Sequence, residues 1–86
     1  MARKKKASGS SKITPVRPEK LQKVFEKIGY EVIGQTGSHR IMKHPDKPLL
    51  VSIPVHPGTI LPSLIRNEIK KAGLRVERYI ELLLEV

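Results

Sequence analysis

The sequence contains no cysteine, which excludes disulfides and thiolate metal sites and suits a reducing, cytoplasmic setting. It has a single aspartate, Asp46, between prolines in a turn, and no carboxylate stands at ligand spacing from a histidine. Neither a metal nor another cofactor is therefore expected. Aromatic residues make up 3% of the chain, too few for platforms on which successive bases could stack. No apolar run approaches the roughly 20 residues of a membrane helix, and no signal-peptide core follows the basic start. Acidic residues are also scarce, 8 against 17 Lys and Arg, for a net charge of +9.

What is present fits one small domain. Eighty-six residues with 38% hydrophobic content can bury one modest core. Residues 1–13 hold Arg3, Lys4, Lys5, Lys6 and Lys12, no acid and little apolar content, so a disordered basic tail is expected there. Residues 14–86 form the single predicted domain, with net charge +4. A polyanion is the natural partner, nucleic acid rather than membrane, because no amphipathic lipid-binding helix stands out.

Thr14 to Arg17 is an extended lead-in, since Thr14 and Arg17 each precede a proline. Pro18 suits the first helical position and Glu19 complements the positive helix end. Leu21, Val24, Phe25 and Ile28 follow at helical spacing, and Gly29 closes the helix. Lys20, Lys23 and Lys27 line a solvated side. Tyr30–Thr36 reads as a strand in which Gly34 marks a bulge or a close approach. A second strand runs over 39–43. A third runs over 49–55, with Leu49, Val51, Ile53 and Val55 on one face. A second helix starts near Pro62, with Ser63 as a candidate N-cap, and carries Leu64, Ile65, Ile69 and Ala72 to Gly73. A short last helix, 75–86, turns Val76, Tyr79, Ile80 and Leu83 to one side as a candidate partner contact. This order predicts an α+β two-layer sandwich, α-β-β-β-α with a three-stranded antiparallel sheet and an extra C-terminal helix. It is the architecture of a double-stranded-RNA-binding domain (dsRBD-like).

The chain is organised around Gly37-Ser38-His39. Glycine and serine form a short hairpin turn, which pins His39 to the first position of the second strand. Residue pattern alone leaves two readings, an acid–base histidine or one that merely hydrogen-bonds within its turn. Leu21 to Leu74 resembles the HicA family of toxin ribonucleases. The resemblance is carried by Leu21–Tyr30, Gln35-Thr36-Gly37-Ser38-His39, Ile53-Pro54-Val55-His56 and Ile69-Lys70-Lys71-Ala72-Gly73-Leu74. It implies a dsRBD-like fold, cleavage of messenger RNA, a HicB-type antitoxin partner, and His39 as the catalytic residue. Ser63 and Glu68 depart from the glycine and the apolar residue often found there in the family.

RNA cleavage without metal needs a base for the 2′-OH, donors for the phosphorane oxygens and a proton for the leaving 5′-oxygen. His39 suits the acid–base task. Candidate phosphate contacts are the Gly37 and Ser38 N–H groups, the Ser38 hydroxyl, Arg40 and Lys43. Strand parity puts Lys43 on the face of His39 and Arg40 on the other. His56 is a candidate second partner or a loop cap; His44, beside a turn proline, reads as exposed and incidental. The alternative function is a non-catalytic dsRBD-like RNA-binding module. A DNA-binding role ranks last, without a helix-turn-helix signature.

Overall fold

A computed structural model describes residues 12–86. The expected tail lies outside the described residues apart from its end, where Ile13 is packed into the core instead of disordered. As the only large apolar side chain between Ala7 and Val16, Ile13 buries with Val16, and Ile60 donates its N–H to the Val16 carbonyl at 2.7 Å. The elements are α1 (Pro18–Lys27), β1 (Glu31–Thr36), β2 (His39–Lys43), β3 (Val51–Pro54), α2 (Pro62–Lys71) and α3 (Val76–Glu85). The strands form an antiparallel sheet in the order β1-β2-β3, the predicted α+β, dsRBD-like arrangement.

The first two helices each end at a glycine. At the end of α1, Gly29 (φ +104°) donates to Glu26 and Tyr30 to Phe25, while the Phe25 and Tyr30 rings meet edge-on at 5.5 Å. Gly73 (φ +70°) repeats this six-to-one closure on Lys70 and Ile69 after α2. Left-handed backbone is cheap only for glycine, and the closure satisfies carbonyls that the helix leaves open.

The register pairs Met42 with Val51 and Arg40 with Ile53, so these four share the face that α1 and α2 cover, with α3 packed against both helices. Leu21, Val24, Phe25, Ile65, Ile69, Tyr79 and Leu82 complete the core. His39, Ile41 and Lys43 lie on the opposite, open face, by the period of two.

Four expectations change. Leu49 and Leu50 precede β3 and are exposed, because the turn chemistry of Pro45 to Pro48 extends further than its prolines suggest. Ser63 is not the N-cap: Pro62 takes the first helical position, which makes Leu61 the cap residue. Most of the apolar side of α3 is taken up by the core, with half-buried Val76 left at its start. Tyr79 and Leu82 are buried, and Lys27 and Glu85 join α1 to α3 at 3.4 Å. His44 is not incidental. Its Nε2 donates to the Ile28 carbonyl at 2.8 Å, its Nδ1 accepts from Asp46 N–H at 2.9 Å, and its ring meets Tyr30 edge-on at 5.1 Å. Those two bonds define the Nε2–H tautomer and cap the end of α1.

The two edges of the sheet differ. Val55 N–H donates to Ser38 O at 2.6 Å, which makes His39–Pro54 a pair whose backbone polar groups point away from each other. The outward N–H positions on β3 are therefore Ser52 and Pro54. Proline has no N–H, and Ser52 donates to Glu68 Oε1 at 2.8 Å, with Lys71 3.0 Å from the same oxygen. Glu68, which departs from the apolar residue often found there in the family, thus closes this edge. Every residue of β1 is exposed, including Val32 and Ile33. The ladder shifts register between Val32 and Gly34, the bulge that Gly34 predicted.

A Cβ on residue 29 would stand 2.7 Å from His44 Nε2. Gly29→Ala is expected to cost about 1–3 kcal/mol, read by urea denaturation. In a double-mutant cycle with His44→Ala the two losses should add to less than their sum, since each breaks the same contact. Tyr79 behaves differently: burial pushes its phenol up to about 12, and the hydroxyl finds no hydrogen-bond partner among the described residues. Tyr79→Phe should leave stability equal or slightly higher, and a clear loss would reveal a hidden partner for the hydroxyl.

Candidate active site on the open sheet face

The turn at Gly37-Ser38 joins β1 to β2 in two residues, with Gly37 at φ +59° as such turns require at the first central position. Its tip is held from both sides. The Gln35 amide donates to the Gly37 carbonyl at 3.2 Å, and Val55 holds the Ser38 carbonyl from β3. His39 follows at the start of the central strand, paired with Thr36 on one side and Pro54 on the other. Its backbone is therefore rigid while its side chain is exposed. Among the described residues the ring makes no hydrogen bond, and the turn N–H groups of Gly37 and Ser38 donate to no protein acceptor. A free imidazole thus stands beside two free backbone donors and the exposed Ser38 hydroxyl.

Lys43 shares this face and sits in no ion pair among the described residues, although Glu31 lies directly across the strand pair. It stands four positions along the strand from His39, about 13 Å between Cα atoms. Lys43 therefore reaches a neighbouring anionic group, not the one at the imidazole. Arg40 lies on the far face, half-buried, with Nη1 donating to Gln22 Oε1 of α1 at 2.6 Å. The structure does not bring it to His39. His56 turns back on its own loop, where Nδ1 accepts from Gly58 N–H at 3.3 Å.

Sequence reasoning missed Thr36, whose pairing with His39 puts its side chain next to that of His39 on the same face. The signal was available, because a two-residue turn always pairs the residues that flank it. It also missed Glu31, which tempers the field of Lys43. Among the described residues no three His, Asp or Glu converge as a metal-binding group. No helix of the described residues is long and apolar enough to cross a membrane.

An open three-stranded sheet, backed by helices and bearing one free histidine at a hairpin, defines a small α+β protein whose candidate site faces outward. The family model described as the HicA toxin of bacterial toxin–antitoxin systems matches residues 18–74, more than half of the chain, and the chain belongs to that family. No curated protein matches it. The match begins at the first residue of α1 and ends one residue after Gly73, so it contains the whole sheet and leaves α3 outside.

The exposure of His39 and its lack of partners carry a stability consequence. His39→Ala should shift the unfolding free energy by no more than about 0.5 kcal/mol, the range of plain surface substitutions. Thermal and urea unfolding check this; a larger loss would mean that the imidazole is a structural residue.

Proposed function

We propose that the chain is a metal-independent endoribonuclease toxin that cleaves messenger RNA through His39 and is neutralised by a HicB-type antitoxin. The observation that supports this best is an unpartnered imidazole on a rigid central strand, beside two free turn N–H groups. Family membership supplies the toxin role.

The chemistry follows from those groups. His39 takes the 2′-hydroxyl proton, and the 2′-oxygen attacks the adjacent phosphorus. The bond to the 5′-oxygen breaks, leaving a cyclic phosphate and a 5′-hydroxyl. The proton held by the imidazole returns to the departing oxygen directly or through water, so protons balance over the step. The Gly37 and Ser38 N–H groups and the Ser38 hydroxyl stabilise charge on the phosphorane oxygens, while Lys43 binds a phosphate further along the strand. Arg40 has no direct part, since Gln22 holds it on the opposite face. One imidazole serves as base or acid but not ideally as both. A single positioned acid–base group contributes on the order of 10²–10⁴-fold, so turnover is slow. Slow cutting suffices for a toxin. Without aromatic platforms, RNA is held by backbone and shape, with loose sequence preference. A polyanion-mimicking segment of the antitoxin over this face would cover His39.

The test is cleavage of a defined messenger by the purified full chain. His39→Ala should lower the rate by at least about 10²-fold while RNA binding persists. A chelator should leave the wild-type rate unchanged. Equal cleavage by folded His39→Ala would remove the catalytic assignment, and absence of cleavage by both, with binding intact, would favour the non-catalytic RNA-binding module.

A further inference from the structure

On the helix layer, across the sheet from His39, α2 and α3 meet in a groove of about 360 Å³. Its floor is apolar, made by Ile69, Leu74 and Val76, and its rim carries Arg66, Lys70 and Arg75, with Glu77 as the one acid. Arg66 and Lys70 stand four residues apart on one side of α2, a like-charge spacing that destabilises an isolated helix. Lys27, Lys71 and Arg78 each have a carboxylate partner. Among the described residues, none of the three rim cations does. Glu77 lies in the first turn of α3, where it complements the helix end. The groove therefore presents converging positive charge around an apolar pit, a combination that calls for an anion carrying something to bury.

We propose that this groove anchors an acidic segment of the antitoxin that bears one apolar side chain. The apolar group fills the pit, and flanking carboxylates meet Arg66, Lys70 and Arg75. The inference rests on the toxin–antitoxin reading above and adds a contact separate from the one over His39. An RNA backbone would satisfy the rim but has no aliphatic group for the floor. A second copy of this chain is disfavoured by its own net charge of +9. Arg75, Val76 and Glu77 lie past the family match, so the groove joins matched residues of α2 to the start of α3 outside it.

The experiment measures affinity between the full chain and its antitoxin for wild type, the triple reversal R66E/K70E/R75E and the triple neutralisation R66Q/K70Q/R75Q. Reversal should weaken binding at least tenfold and neutralisation by less, with thermal unfolding and the RNA-cleavage rate of the free toxin unchanged. Undiminished affinity of both variants would overturn the proposal. So would retained affinity with lost RNA cleavage, which would make the groove an RNA site. A wild-type chain that forms no complex would overturn the antitoxin partner and the anchor together. His39→Ala, run in parallel, reports on catalysis alone: continued cleavage there, with the reversal still impairing the complex, would leave the anchor standing and remove only the catalytic role.

Discussion

The structure depends on the alternation of side chains along β2. Met42 and Arg40 face the helices, and His39, Ile41 and Lys43 face outward. A slip of one residue would drive Met42 into water and bury the imidazole, so the core and the site are set by one register. Three contacts hold that register: the tight Gly37-Ser38 turn, the Val55–Ser38 hydrogen bond, and the burial of Met42 opposite Val51. The bulge in β1 absorbs an extra residue without disturbing them, because it lies away from the turn, beyond Gly34.

Much of this was legible because its causes are local. Pro18 and Gly29 delimit α1, Gly34 marks the bulge, and Gly73 closes α2, each through backbone conformations belonging to that residue type. What escaped sequence reasoning involves partners distant along the chain. Nothing around His44 announces that Ile28, sixteen residues earlier, needs a donor for its carbonyl. Glu68 reads as an odd acid beside an apolar face until β3 is placed next to it. The last helix has the same amphipathic pattern whether its apolar side meets a partner or its own core, and only the fold decides that Tyr79 and Leu82 go inside. At the site, parity alone separated Arg40 from Lys43, whereas the Gln22 contact to Arg40 required the helix to be in place.

The histidines illustrate how environment divides one residue type among different tasks. His44 has both ring nitrogens engaged and works as a helix cap. His56 has one nitrogen engaged by its own loop. His39 has neither engaged among the described residues and sits on the central strand, paired on both sides. Acid–base chemistry needs a nitrogen free to exchange its proton and a backbone that does not wander, and His39 alone of the three combines them. Positive charge is divided in a similar way. Arg40 braces a helix, Lys43 stands on the open face, and Arg66, Lys70 and Arg75 gather on the far side of the molecule. A net basic composition thus resolves into groups with separate neighbours.

The unlike edges of the sheet give the molecule a direction. One border is shut by a missing donor at Pro54 and a carboxylate at Glu68, whereas the other offers six exposed residues of open ladder. Such a sheet is extensible on one side only. A strand arriving from elsewhere can lengthen it next to β1, which puts the newcomer one strand away from the imidazole, but it cannot sandwich the site by adding at both borders. Stacking of copies edge to edge also ends after one pairing, since β1 meeting β1 leaves only closed borders outside. Pro54 and Glu68, which close the β3 border, therefore set an upper limit on how far this fold can polymerise through its backbone.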